Sequence, residues 1–311
     1  MSPYRLLCPL CGSQNLSGRM DAPGASRLLE CADCGIVFLE PVPDDLPALY
    51  EGYRREGGKR FLYGAEALVR FFRVRRARLI ERLSRAPRKT GKNLRILDIG
   101  CGRGLMLAEL ASRGWECYGT ELPGQAPGTS GAPFKVYEGR ISDLDLPSEF
   151  FDVVTLWHVF EHLRDPMRAL KEIRRILKPG GLLVISVPNI GSLQAKLFGR
   201  RWIHLDLPRH LYHFSPRSLG CALRESGFSI ADWSHFSAEH GISGIILSFG
   251  ALISGRGHDL FSTLRGEGKG FGAAAASMAF APVAIVFSVL EALLKRGGGM
   301  TVLAVKPAGT K

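Results

Sequence analysis

Five of the eight histidines fall in two short blocks. The stretch WHVFEH carries His158, Glu161 and His162, and RWIHLDLPRHLYHF carries His204, His210 and His213. An imidazole exchanges a proton near neutral pH, and a carboxylate beside imidazoles either tunes such a base or shares a divalent ion with it. Spacing alone leaves three readings: His158 or His210 as a general base, a metal cluster, or helix-capping or core-satisfied polar residues, with Glu161 and His162 in particular beginning the helix that contains Asp165 and Pro166. A second set is more specific. Cys8, Cys11, Cys31 and Cys34 form two Cys-x-x-Cys pairs. Two such turns offer four thiolates to one ion and tetrahedral sulfur suits zinc, so the pairs predict a structural zinc ribbon over residues 1–45, with a redox pair as the alternative. A ribbon this small takes its folding energy from the metal.

The elements that would position the histidines start at RILDIGCGRG. An apolar run (Ile96, Leu97, Ile99), then Gly100, Cys101, Gly102 and Gly104, then LMLAELASRG, reads as strand, tight turn and helix. Such a turn aims free N–H groups and a positive helix end at an anion. A dinucleotide fingerprint needs glycine at 105, where this chain has Leu105. Further strands are read in WECYGTEL, FKVYEG, FDVVTLWH and LLVISVPN, with a helix in DPMRALKEIRRILKPGG between the last two. This order predicts an α/β, doubly wound, mostly parallel sheet with its ligand at the carboxyl ends of the strands. Ser215 and Pro216 look like the cap and first turn of a later helix that stops at Gly227, before a sixth strand, and MTVLAVKP reads as the last strand.

ILDIGCGRG, YGTEL, ISDLDLPSEFFDVV, WHVFEHLRDP and ILKPGGLLVISVPN, in that order, resemble class I S-adenosylmethionine-dependent methyltransferases over residues 94 to 190. The resemblance implies a seven-stranded Rossmann-like sheet. It also implies that Asp98 and the backbone of Gly100 to Gly104 hold the methionine part of S-adenosylmethionine, that Glu121 holds the ribose, and that Asp143 and Leu144 border the adenine. Two features depart from the family: the proline- and glycine-rich PGQAPGTSGAPF stands where a helix usually follows the acidic strand, and Gly139–Arg140 replaces a frequent Gly-Asp. Some quinone-type and RNA-end members of the class carry Glu-x-x-Glu-His, which binds a divalent ion; here the pattern is His158-x-x-Glu161-His162.

The formal net charge is +12. Residues 54 to 92 hold 14 Lys or Arg against three Glu, so the excess is local. Within residues 46–93, read as linker and basic amphipathic helix, the apolar positions Leu68, Phe71, Phe72, Leu79, Ile80 and Leu83 define one face; its charge suits a solvated surface, anionic lipid or nucleic acid. The first apolar residues are interleaved with cysteine and proline and leave no signal-peptide core, which points to a reducing cytoplasm. After a methyltransferase core at 94–240, residues 241–298 form an apolar insertion before the last strand and tail at 299–311. Phe271 to Leu290 carries no charge and is long enough to span a bilayer. A strand on each side belongs to one sheet, so the expectation is a helical hairpin or in-plane element at the inner face of the membrane. The composite expectation is O-methylation of a lipid-linked, glycan or quinone-like small acceptor at a membrane surface. RNA methylation and a catalytically silent cofactor-binding scaffold are the alternatives, and the missing Asn-Pro-Pro-aromatic block lowers the first of these.

Overall fold

The computed structural model describes residues 6–44, 63–84, 93–124, 131–254 and 279–308. Most of the linker, residues 125–130 of the proline-rich segment and residues 255–278 of the insertion, with the start of the Phe271–Leu290 run, lie outside the described residues.

Three strands, β1 (Leu16–Asp21), β2 (Arg27–Cys31) and β3 (Val37–Glu40), form an antiparallel ribbon. Helix α1 (Tyr63–Ser84) leads to the main sheet. There follow β4 (Arg95–Ile99), α2 (Leu105–Ala111), β5 (Glu116–Glu121), β6 (Lys135–Glu138), β7 (Phe151–Trp157), α3 (Pro166–Ile176) and β8 (Leu177–Pro188). Next come α4 (Leu193–Phe198), β9 (Tyr212–His213), α5 (Pro216–Glu225) and β10 (Ser229–Ser234). Helices α6 (His240–Ser254) and α7 (Ala281–Leu293) precede β11 (Gly299–Val305).

The seven-stranded sheet has the order β10-β11-β8-β7-β4-β5-β6. Strands β4 to β8 pair in parallel, while β11 runs antiparallel to both of its neighbours. The order reverses at β4, so the carboxyl ends of β4 and β7 flank the switch point where such sheets bind ligands. Alternation divides the core. Ile96 and Val153 pack with Ala77 and Ile80 of α1 and Leu107 and Leu110 of α2; Leu97 and Val154 pack on the other face with Leu170 and Ile173 of α3 and Leu219 of α5. Strand β7 is buried up to Trp157, as expected of a central parallel strand covered on both faces. The ribbon shares the second of these clusters through Leu10, Ile36 and Phe38, so it packs as part of the same body.

Helix ends follow local chemistry. Asp165 caps α3, accepting from Arg168 N–H at 2.9 Å with Pro166 in the first turn. Ser215 and Ser218 form a capping box on α5, and Gly227, at φ 76°, ends it. Glu161 and His162 do not begin α3: they sit in a separate 3₁₀ turn, Phe160–His162, because the cap and proline place the helix start four residues later. The expected apolar face of α1 is also corrected. Ala77, Ile80 and Ser84 are buried, whereas Leu68, Phe71 and Leu79 face solvent. RWIHLDLPRHLYHF starts at the last residue of one 3₁₀ turn, makes a second at Ile203–Leu205 and runs into β9, which joins the ribbon as a fourth strand. Helices α6 and α7 pack on each other, with Phe249 and Phe280 stacked at 4.1 Å. No described helix is long and apolar enough to cross a membrane.

Candidate active site

The turn after β4 is held open from both sides. Gly100 and Cys101 N–H both donate to Thr120 O, and Gly102 N–H donates to Glu121 Oε2 at 2.9 Å. Glu121 also accepts from Leu122 N–H through Oε1. Gly100, Gly102 and Gly104 all have φ between 53° and 69°. A Cβ on Gly100 would lie 2.5 Å from Val159 Cγ2, so glycine is needed there for space as well as conformation. Asp98, at the end of β4, accepts from Thr155 Oγ1 at 2.6 Å, and burial raises its pKa to about 6.

A cavity of about 150 Å³ opens on this turn, lined by Asp98, Gly100, Cys101 and Gly102 and roofed by Val69, Arg73 and Arg76 of α1. Trp157 forms its far wall. Arg76 lies 4.6 Å from the Trp157 ring centroid, and its pKa falls to about 10 through burial. Arg73 and Arg76 both pair with Glu239 at the foot of α6, and Arg103 pairs with Glu66 at 2.7 Å. Spacing did not single out these arginines. They looked like part of a charged surface, and their only sequence signal was a three-residue separation on one helix face. Asp143 and Leu144 do not line this cavity: Asp143 is exposed and lies 3.6 Å from Arg168, while Leu144 packs beneath Gly139.

The histidines assemble immediately beyond Trp157. His158 has φ 56°, a conformation uncommon outside glycine, and its ring lies against that of His240, tilted by 31° with the centroids 3.5 Å apart. Glu161 is 1% exposed, and neither carboxylate oxygen has a hydrogen-bond partner among the described residues. Its Oε1 lies 3.5 Å from His158 Nδ1 and 4.0 Å from His210 Nε2. His162 donates from Nδ1 to Arg209 O at 3.0 Å and His210 from Nδ1 to His204 O at 2.8 Å, so the lone pair of each neutral ring is on Nε2. Glu161, His162 and His210 each offer a ligand atom, all within 4.8 Å of one another, and fixed second nitrogens are what a metal-ligating histidine requires. Burial raises the Glu161 pKa to about 7, lowers His158 to about 3 and holds His210 well below its usual value. His204 donates to His240 O and His213 to Leu205 O, so both serve the loop backbone.

In the ribbon, Cys8 and Cys34 Sγ lie 3.5 Å apart and Cys11 and Cys31 Sγ 3.7 Å apart. All four sulfurs fall within 4.8 Å of one another. Tetrahedral Zn–S bonds of about 2.3 Å place sulfurs about 3.8 Å apart, so this set fits zinc.

A mostly parallel sheet with a glycine turn and a buried carboxylate at its switch point defines a doubly wound α/β domain with its ligand cavity at the carboxyl ends of the strands. The chain belongs to the methyltransferase domain family, whose model matches residues 71–232, with the class I S-adenosylmethionine-dependent fold. A ubiquinone biosynthesis O-methyltransferase of Cereibacter sphaeroides is 34% identical over 154 residues, 45% of this chain and 62% of that protein. The match thus spans less than two thirds of the relative. Phosphoethanolamine N-methyltransferase 2 of Haemonchus contortus, in complex with phosphomonomethylethanolamine and S-adenosylhomocysteine, superposes with a TM-score of 0.50 at 19% identity, over 75% of this chain and 52% of that one. A chain of the Haloferax volcanii complex between the Trm112 methyltransferase activator and a methyltransferase gives 0.52 at 17% identity, over 86% of this chain and all of that one. At such identities these two show the fold.

Gly100→Ala should destabilise the protein by about 1–3 kcal/mol, because it combines left-handed strain with the Val159 clash. Urea unfolding measures this, and an unchanged midpoint would mean that the turn is not close-packed.

Proposed function

We propose that the chain transfers the methyl group of S-adenosylmethionine to a hydroxyl of a small quinone-like amphiphile. The observation that carries this is Glu161: a buried carboxylate without a hydrogen-bond partner among the described residues, set among His158, His162 and His210 just after the strand whose Trp157 lines the cavity on the glycine turn. The relatives named ubiquinone biosynthesis O-methyltransferase support the acceptor class. In this reading Asp98 faces the ammonium of the cofactor, Arg73 and Arg76 its carboxylate, and Glu121 its ribose. Cys101, Gly102 and Gly104 bring the backbone close, with Asp143 and Leu144 toward the adenine.

Methyl transfer from a sulfonium is an in-line displacement, so the protein must align the acceptor oxygen and take its proton. A base works best when its pKa lies near the working pH. Glu161, at about 7, meets that condition better than His158, at about 3. His158, with Nδ1 3.5 Å from Oε1, then orients the carboxylate, and the Nε2 lone pairs of His162 and His210 on its other side favour the form that has gained a proton. The same three donors, Glu161, His162 and His210, suit a divalent ion, which would polarise the acceptor oxygen when bound. Zinc at Cys8, Cys11, Cys31 and Cys34 is structural in this proposal.

The acceptor is taken up at the inner face of a membrane. Val283, Val286, Leu290 and Leu293 of α7 and Leu252 and Ile253 of α6 are exposed, as are Arg70, Arg75 and Arg78 of α1. Apolar side chains near a basic helix suit an anionic bilayer surface. The basic helix is less suited to gripping RNA than its sequence promised, since Glu239 engages Arg73 and Arg76.

Three outcomes are expected. Glu161→Gln should lower turnover by about 100-fold while S-adenosylhomocysteine still binds, read with methyl-labelled donor and a membrane extract; label appearing in RNA would overturn the acceptor class. Asp98 should make cofactor binding pH-dependent. Its ionised form meets the ammonium, so affinity is full above pH about 6 and falls by up to tenfold per unit below it, in calorimetric titrations. Val286→Glu with Leu293→Glu should weaken partition into phosphatidylglycerol vesicles by roughly tenfold. Equal partition would remove the membrane surface from this reading.

A further inference from the structure

The four-cysteine ribbon is wired into the histidine cluster. Val37 and Phe38 of β3 pair with His213 and Tyr212 of β9, and Leu39 N–H donates to Leu211 O at 2.9 Å. Leu211 N–H in turn donates to Glu161 O, also at 2.9 Å. One peptide segment therefore hangs between the ribbon and the turn that carries the buried carboxylate. His210, the preceding residue, directs Nε2 toward Glu161.

Side chains fasten the same junction. Arg217 at the start of α5 donates to Ala32 O at 3.2 Å and Asp33 O at 2.6 Å, the two carbonyls between Cys31 and Cys34. Tyr212 Oη donates to Arg164 O at 3.1 Å, and the Phe160 and Phe214 rings stack at 5.0 Å. The ribbon hairpin also closes a groove of about 490 Å³ against Arg200, Arg201 and Asp206, and Asp206 Oδ2 lies 3.7 Å from His210 Nε2. The cofactor cavity, by contrast, is lined by α1, the turn after β4, α2 and Trp157, with no ribbon residue.

We propose that the zinc-loaded ribbon is the positioning element for the acceptor half of the site: through the β3–β9 pairing it sets Glu161 and His210 against each other, and it leaves the cofactor half untouched. This rests on reading the cluster as the acceptor side. The physical basis is that three short strands gain their order from the metal, and β9, only two residues long, has β3 as its one sheet neighbour. Loss of the ion removes the template on which Leu211 is fixed.

The test uses the full chain, as purified, as Cys31→Ser, as Arg217→Ala, and after chelation with re-addition of zinc or cobalt. Metal content, S-adenosylhomocysteine affinity by calorimetry and amide hydrogen exchange are read on each. One zinc per native chain is expected. Its loss should speed exchange in residues 37–40, 160–163 and 210–213 by at least about tenfold, leave 95–99 and 151–157 protected, and change cofactor affinity by no more than about twofold. Zinc or cobalt should restore protection, and Arg217→Ala, which spares every thiol, should show the same pattern more weakly.

The proposal is overturned if residues 160–163 and 210–213 stay protected while the ribbon opens. It is equally overturned if cofactor affinity collapses together with the ribbon, or if the native chain holds no metal. None of these readouts needs turnover, so failure to methylate any hydroxylated quinone analogue would remove the functional reading and leave this result standing.

Discussion

A carboxylate removed from water without a hydrogen-bond donor costs several kcal/mol, and a fold keeps one only where surrounding structure over-determines its place. Glu161 is such a group. Four segments confine it: the end of β7 through His158, its own 3₁₀ turn through His162, the loop before β9 through His210, and the ribbon through Leu211. Burial lowers the imidazole pKa of His158 and of His210 as it raises that of the Glu161 carboxyl, so those two rings stay neutral beside it. Burial thus separates neighbouring titratable groups by some four units, giving one group with a pKa near neutrality and others that remain uncharged there.

Burial raises the carboxylate pKa in the other half of the cleft in the same direction, but there the group has cations near it. Asp98 is buried but sits beside Arg76, and the two arginines of α1 are in turn balanced by Glu239. Charge in the cavity is therefore arranged as an alternating chain, from Asp98 through Arg76 to Glu239, rather than as a patch of one sign. A zwitterionic amino-acid group fits such a chain, since each of its ends meets an opposite charge without net transfer of charge into the core.

What the sequence disclosed and what it withheld divide along contact range. The glycine turn, the capping box at Ser215, the stop at Gly227 and the paired cysteines are local devices, each working within a few residues, and each appears where its residues stand. The strand order is nearly as legible, because a buried run such as FDVVTLW has few alternatives inside a βαβ pattern. The inward turn of Arg73 and Arg76 could not be read, since it depends on Glu239 more than 160 residues away. Nor could the β3–β9 pairing, where two residues with no strand signal of their own adopt extended form because a preformed edge receives them. Of the readings open for Glu161, the helix start is the one that falls: acidic residues favour helix starts, but Asp165 with Pro166 is the stronger start signal and leaves Glu161 outside.

The apolar helices α6 and α7 are tied to the cleft by this arrangement. Their first residues, Glu239 and His240, touch both halves of the cleft: Glu239 pairs with the arginines that line the cavity with Asp98, and His240 lies against the His158 ring and receives the His204 hydrogen bond. Gln194 links the far end to the same core, donating to Glu291 of α7 at 2.6 Å while accepting from Trp202 Nε1 at 3.0 Å. A helix pair rooted by part-buried ion pairs at one foot and a buried hydrogen bond at the other can move only by shifting the residues it grips, because an orphaned buried partner costs about 1–3 kcal/mol. Displacement of its exposed apolar face therefore bears directly on the spacing between the arginine pair and His158.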